Sequence, residues 1–173
     1  MRAALIRHFP TAIAPGICYG RLDLAPGDGD VAALRQGLVA AGLDAAPIFS
    51  SPARRCRALA EALAAGGPVT FDERLLELDF GDWEGIAWDD IPRADFDAWA
   101  ADVESNAPPG GESGAALRAR VAAFHAALPG RSVVVGHGGP LKLLAALLRG
   151  ETPGLLTPAQ PMGALVLAPP EEC

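Results

Sequence analysis

The sequence predicts an α/β fold of three layers, α/β/α, around a largely parallel central sheet. Short apolar runs of strand length recur along the chain, amphipathic helical stripes lie between them, and glycine or proline marks most junctions. With 173 residues, 50% hydrophobic and 20% charged, a single domain over 1–173 with a substantial core is expected.

Ala3 to Ile6 is the first run, a buried strand that delivers Arg7 and His8 at its carboxyl end. Val31, Leu34 and Leu38 then recur at helical spacing. Pro47 to Phe49 reads as a second strand. Ser51-Pro52 after it supplies an N-cap and a first-turn proline for a helix through Leu59 and Leu63, which Gly66-Gly67 stops. Val69 to Phe71 is a third strand. Residues 87–111 are less regular, with Pro92, Pro108-Pro109 and Gly110-Gly111, and form an excursion with one short helix around Phe96 and Trp99 that can act as a lid. Ser113 reads as the N-cap of the next helix, whose stripe of Leu117, Val121, Phe124 and Leu128 ends at Pro129-Gly130. Ser132 to Val135 is the clearest strand. It runs into Gly136-His137-Gly138-Gly139, and Pro140 opens a helix through Leu144 and Leu148.

A net charge of −7 argues against a broad surface for nucleic acid or anionic membrane, so any phosphorylated ligand must be held by a few local arginines and is expected to be small. Cys18, Cys56 and Cys173 are odd in number, far apart and without CxxC spacing, as expected of reduced cytoplasmic thiols. Met1 runs straight into Ala3-Ala4-Leu5-Ile6, too short for a signal-peptide core, and no apolar run approaches a membrane span. There is no Walker loop, HExxH helix or spaced Cys/His zinc set, and no cofactor or metal is expected.

Ligands of a parallel sheet bind beyond the carboxyl ends of its strands, where His8, the 51–55 turn and His137 converge. The helix start at Gly138-Gly139-Pro140 offers backbone N–H groups and a positive dipole end, which suit an anion. Two histidines at one sheet edge also suit a metal. Arg7 and Arg55 argue against that choice, because guanidinium groups repel a divalent cation but grip phosphoryl oxygens bidentately. Arg54, Arg55 and Arg57 would ordinarily be a solvated face, yet Arg55 lies near a helix start, where a cation is unfavourable without an anion. Among Glu77, Asp79, Asp82 and Glu84, one carboxylate can protonate a departing oxygen while the rest serve as surface or capping groups. The Asp28/Asp30, Asp89/Asp90 and Asp95/Asp97 pairs carry no chemistry, and His125 is a boundary residue. Trp83, Trp88, Trp99 and Tyr19 can stack on a nucleoside-like base or fill the core, the latter being favoured for Trp99.

Four separated segments, Leu5-Ile6-Arg7-His8, Ser50-Ser51-Pro52-Ala53-Arg54-Arg55, Glu77 to Gly85 and Gly136-His137-Gly138-Gly139, together resemble the histidine phosphatase, or phosphoglycerate mutase-like, superfamily. Cys18-Tyr19-Gly20-Arg21-Leu22-Asp23 and Trp88-Asp89-Asp90-Ile91-Pro92 are most similar to its α-ribazole-phosphate phosphatase branch, of cobalamin synthesis. The resemblance implies a nucleophilic His8, a phosphoryl-binding set of Arg7, Arg55 and His137, and Glu77 as acid and base. Gly138 is implied as an additional backbone donor. Two departures stand out. Phe9 replaces a frequent glycine and is expected to narrow the pocket, and the asparagine that many relatives place after the first motif is missing, leaving Thr11 or Arg21 as substitutes.

The leading expectation is a phosphomonoesterase acting on a small phosphorylated metabolite. The rivals are a phosphoglycerate mutase, disfavoured by the shortness of the chain, and a phosphate-binding regulatory module, which would be expected to lack the nucleophile or the acid. A phosphoprotein phosphatase gains no support from a negative chain without a basic docking run. No heptad or unusual strand edge indicates an oligomeric state.

Overall fold

The computed structural model describes residues 2–152, 154, 155 and 157–169. Its strands are β1 (Arg2–Arg7), β2 (Ile48–Ser50), β3 (Val69–Phe71), β4 (Arg131–Gly136) and β5 (Leu165–Ala168), forming one five-stranded sheet in the order β3-β2-β4-β1-β5. All neighbours are parallel except β5, which pairs antiparallel with β1. The helices are α1 (Val31–Ala40), α2 (Arg54–Ala64), α3 (Arg93–Ala101), α4 (Gly114–Ala127) and α5 (Gly138–Leu148).

Alternation along the strands builds the three layers. Ala3, Leu5 and Val134 point to one side and pack with the stripes of α4 and α5, whereas Ala4, Ile6, Val133 and Val135 meet α1 and α2 on the other. Because β1 and β4 are covered on both faces, they read as continuous apolar runs. Asp30 caps α1 by accepting from Ala33 N at 2.9 Å, and Ser113 caps α4 as the sequence suggests.

α2 differs from expectation. It starts at Arg54 with Ala53 at the N-cap and no side-chain cap bond, because the Ser51 side chain is engaged elsewhere. β5 was not anticipated either: it is a short, half-buried edge strand. The 87–111 excursion contains α3 as expected. Phe96 and Trp99 of that helix pack with Phe80 and Trp88 onto buried Cys18, Trp83 and Ile91, forming a separate small aromatic core.

The ladder continues past the strand ends through His8 N to Gly136 O (3.1 Å) and Ser51 N to Val135 O (3.0 Å). Adjacent β2, β4 and β1 therefore place Ser51, His137 and His8 side by side at one sheet edge. Among the described residues, no helix is long and apolar enough to cross a membrane. Cys18 and Cys56 are free and buried, and Cys173 lies outside the described residues.

Candidate active site

β1 ends by turning His8 into a position where only 2% of it is exposed. Its Nδ1 lies 2.7 Å from Phe9 O, and since a carbonyl can only accept, Nδ1 carries the hydrogen and Nε2 keeps its lone pair. Burial, reinforced by the charges of Arg55 and Arg7 and only partly opposed by the Phe9 carbonyl, lowers the His8 pKa to about 4. The ring is thus neutral near neutral pH, with an unprotonated Nε2. His137, N-cap of α5, lies edge-on to it with ring centroids 5.3 Å apart. Burial, together with the Arg55 and Arg7 charges, holds His137 well below the ordinary imidazole value.

Two arginines face these rings. Arg7 donates to Gln160 O at 2.8 Å, and the Gln160 amide is itself fixed on Leu5 O and Ala164 O. Arg55, in the first turn of α2, is 2% exposed and donates to Gly20 O (2.6 Å) and Leu22 O (2.8 Å). Neither forms an ion pair among the described residues, and the Nε of each is buried without a partner. Unpaired buried cations are costly unless an anion completes them, and a phosphoryl group has the shape and charge to do so. Arg54, by contrast, is exposed and near Asp23, which separates it from its neighbour's environment.

Glu77 reaches the same place from the segment after β3. Its Oε2 accepts from Gly139 N (3.1 Å) in the first turn of α5, and its Oε1 accepts from Leu78 N (2.9 Å). Its backbone carbonyl is held by Arg120 (3.0 Å) and Arg21 (3.0 Å). The five groups Arg7, His8, Arg55, Glu77 and His137 line one cavity of about 330 Å³, whose remaining wall includes Tyr19, Phe80, Trp88, Trp99 and Lys142.

The model of the histidine phosphatase superfamily (branch 1) matches residues 4–164. The chain belongs to that superfamily. It is 34% identical over 171 residues to a bifunctional protein of Mycobacterium tuberculosis, a match covering 90% of this chain and 46% of the other, so the chain spans about half the length of that relative. Over 143 residues it is 32% identical to a 2,3-bisphosphoglycerate-dependent phosphoglycerate mutase of Beijerinckia indica, covering 73% and 69% of the two chains. The solved alpha-ribazole phosphatase of Shigella flexneri matches with a TM-score of 0.77 at 27% identity over 96% of this chain and 89% of the other.

In this superfamily member the secondary candidates fall differently from the main set. Arg21 does not line the cavity: its Nε donates to Glu77 O, and a terminal nitrogen lies 3.9 Å from Glu112. Thr11 does not line the cavity, and its hydroxyl is buried without a partner. Gly138 backs Arg7, where a Cβ would lie 3.2 Å from Cζ. Phe9 does not narrow the cavity either, because its ring turns into the α1/α2 core against Gly29 and Gly163. Trp99 joins the aromatic core as expected, yet also lines the cavity.

Several site residues escaped the sequence reading. Ser51 Oγ meets His137 Nε2 at 2.8 Å, and its strand-end position, shared with His8 and His137, was the available signal. Arg120 borders the buried stripe of α4, donates to the carbonyls of Arg74, Leu76 and Glu77, and pairs with Glu112. Lys142 donates to Leu155 O and Thr157 O, and burial lowers its pKa.

Proposed function

We propose that the chain is a metal-independent phosphomonoesterase that hydrolyses a small phosphorylated metabolite through a phosphohistidine intermediate. The observation that carries this reading is the His8 Nδ1–Phe9 O hydrogen bond, which leaves a neutral Nε2 lone pair beside two guanidinium groups that have no carboxylate partner. Nε2 attacks phosphorus in line, the N–P bond forms, and the bond to the leaving oxygen breaks while protonated Glu77 gives that oxygen its proton. Arg7, Arg55 and His137 stabilise the equatorial oxygens. Water then attacks phosphorus, Glu77 takes its proton, the N–P bond breaks, and phosphate leaves with His8 and Glu77 restored.

The substrate is proposed to be α-ribazole 5'-phosphate or the phosphate ester of a similar nucleoside-like alcohol, the alcohol being the leaving group. The aromatic wall of Tyr19, Phe80, Trp88 and Trp99 supports it, as does the named activity of the Shigella relative. Residues 87–111 are proposed to close over that group as a lid within one domain, since Trp88, Trp99 and Val103 contribute to the cavity wall. Mutase chemistry is the second reading, favoured by the Beijerinckia relative. It differs only in returning the phosphoryl group to a substrate oxygen instead of to water.

The test is hydrolysis of p-nitrophenyl phosphate in EDTA by wild type and His8→Ala, with acid-labile, base-stable protein phosphate sought by rapid quench. Turnover in EDTA, lost in His8→Ala, is expected; a metal requirement or survival without His8 would overturn the mechanism. Hydrolysis of α-ribazole 5'-phosphate with a higher kcat/KM than 3-phosphoglycerate is expected. Exchange between 2- and 3-phosphoglycerate without phosphate release would instead establish the mutase. Binding of inorganic phosphate without turnover of any of these substrates would indicate the regulatory module.

A further inference from the structure

Arg55 presents an electrostatic problem that its immediate neighbours do not solve. It is almost fully buried at the positive end of α2, its charge and that of Arg7 both depress the His137 pKa, and it has no ion pair among the described residues. Its terminal nitrogens instead donate to two backbone carbonyls, Gly20 O at 2.6 Å and Leu22 O at 2.8 Å.

The amides of that same short segment point elsewhere. The N–H groups of Gly20, Arg21 and Leu22 converge on the Glu84 carboxylate, at 2.9, 2.7 and 3.0 Å. Phe80 N adds a fourth donor at 3.1 Å. Successive amides closing on one anion form a nest, and here the anion is a side chain of the protein itself. The Gly20–Arg21 peptide group therefore stands as an oriented dipole between the two charges, its N–H donating to the Glu84 carboxylate and its carbonyl accepting from the Arg55 guanidinium. Gly20 makes the close packing feasible, since a Cβ there would lie 1.9 Å from Leu78 O and 3.1 Å from Glu84 Oε1.

We infer that Glu84 is a positioning residue for phosphoryl binding, acting on Arg55 through the 20–22 backbone. It holds the Gly20–Arg21 peptide whose carbonyl is one acceptor of the guanidinium, anchors through Leu22 N the residue whose carbonyl is the other, and supplies balancing negative charge from a distance. A carboxylate in direct contact with Arg55 would compete with the phosphoryl group; one placed behind a peptide segment leaves the Nε of Arg55 without a protein partner. Glu84 does not line the cavity and so acts through Arg55, not on substrate.

This inference rests on the phosphatase reading but is tested by ligand binding as well as by turnover. Calorimetry with inorganic phosphate and with orthovanadate would be run on wild type, Glu84→Gln, Glu84→Asp, Arg55→Lys and the double variant Glu84→Gln/Arg55→Lys. Glu84→Gln keeps the shape but removes the charge, and is expected to weaken both anions by about tenfold and raise KM more than it lowers kcat. Glu84→Asp, which keeps the charge, is expected to bind better than Glu84→Gln. In the Arg55→Lys background the Glu84→Gln effect should shrink to within about twofold. Anion affinity in Glu84→Gln within about twofold of wild type overturns the inference, as does an equal effect in both backgrounds. If Glu84→Gln does not fold, Glu84→Asp decides: wild-type anion affinity in a protein whose 20–22 amides have lost their slow hydrogen exchange overturns it, and weakened affinity supports it. Loss of turnover in every protein, with these affinity differences intact, would sink the phosphatase reading and leave the positioning role standing.

Discussion

Ser51 Oγ lies 2.8 Å from Nε2 of His137, with both residues essentially closed to solvent. A hydroxyl can rotate to donate or accept, so Ser51 can serve either neutral tautomer of His137 as substrate arrives and leaves. The other group near Nε2 is the Cys56 thiol, at 3.4 Å, a weak partner whose own pKa burial pushes up to about 12. Ser51→Ala leaves a buried ring nitrogen almost without a partner. It is expected to lower kcat/KM by about tenfold and stability by about 1–3 kcal/mol, measured by steady-state kinetics and urea titration.

The lowered pKa of His8 sets the sign of a stability change with pH. The folded imidazole titrates near 4 and the unfolded one near 6.5, so between these values only the unfolded chain takes up the proton. Stability is fully present above the unfolded value, falls as pH drops below it, and stops falling on this account below the folded value. Comparing pH 7 with pH 5 in urea, wild type should lose about 2 kcal/mol more than His8→Asn, which cannot titrate. Nuclear magnetic resonance of the His8 ring should find it neutral at pH 5.5; a protonated ring there would contradict the burial argument.

The parts of this site that were legible in the sequence are those announced by local pattern. β1 and β4 are buried on both faces, so their apolar runs stop visibly at His8 and His137. The parts that were not legible depend on a partner distant in sequence. Ser-Pro before a helix is an ordinary cap signal, but Ser51 faces His137 because β2 lies beside β4, a neighbourhood that no local window contains. Phe9 shows the same limit: its size was visible, but its direction was set by space beside Gly29 and Gly163. β5 was missed because a short edge strand, half-buried along most of its length, shows little alternation.

Arg120 holds Glu77 from behind, and its loss should show selectively in leaving-group protonation. It donates to Glu77 O at 3.0 Å and to Leu76 O at 2.6 Å, while Glu112 anchors it at 2.7 Å. Arg120→Lys keeps the charge but cannot span these acceptors. Nitrophenolate departs with little need for a proton, whereas an alkoxide needs one. The variant should therefore lose about tenfold more kcat on an alkyl phosphate than on p-nitrophenyl phosphate, with Glu77→Gln showing the same pattern more strongly. Equal losses on both substrates would mean that Arg120 acts on the fold and not on the acid.

Gly139 offers a way to separate activity from stability at this site. It occupies the first turn of α5, where alanine is the better helix former by about 1 kcal/mol. A Cβ at that position would nevertheless lie 2.2 Å from Glu77 Oε1, although Leu117 Cδ2 on the other side is at an ordinary 3.5 Å. The flexible end of Glu77 is the atom that must move, so the strain falls on the carboxylate and not on the backbone. Gly139→Ala should thus keep its melting temperature within a few degrees of wild type, or raise it, while losing on the order of a hundredfold in kcat on an alkyl phosphate. Inorganic phosphate should still bind, because Arg7, Arg55 and His137 are not displaced. If activity survives intact, the carboxylate tolerates displacement and its contact with Gly139 N is not what aims it; if activity and melting temperature fall together, the helix start has moved instead.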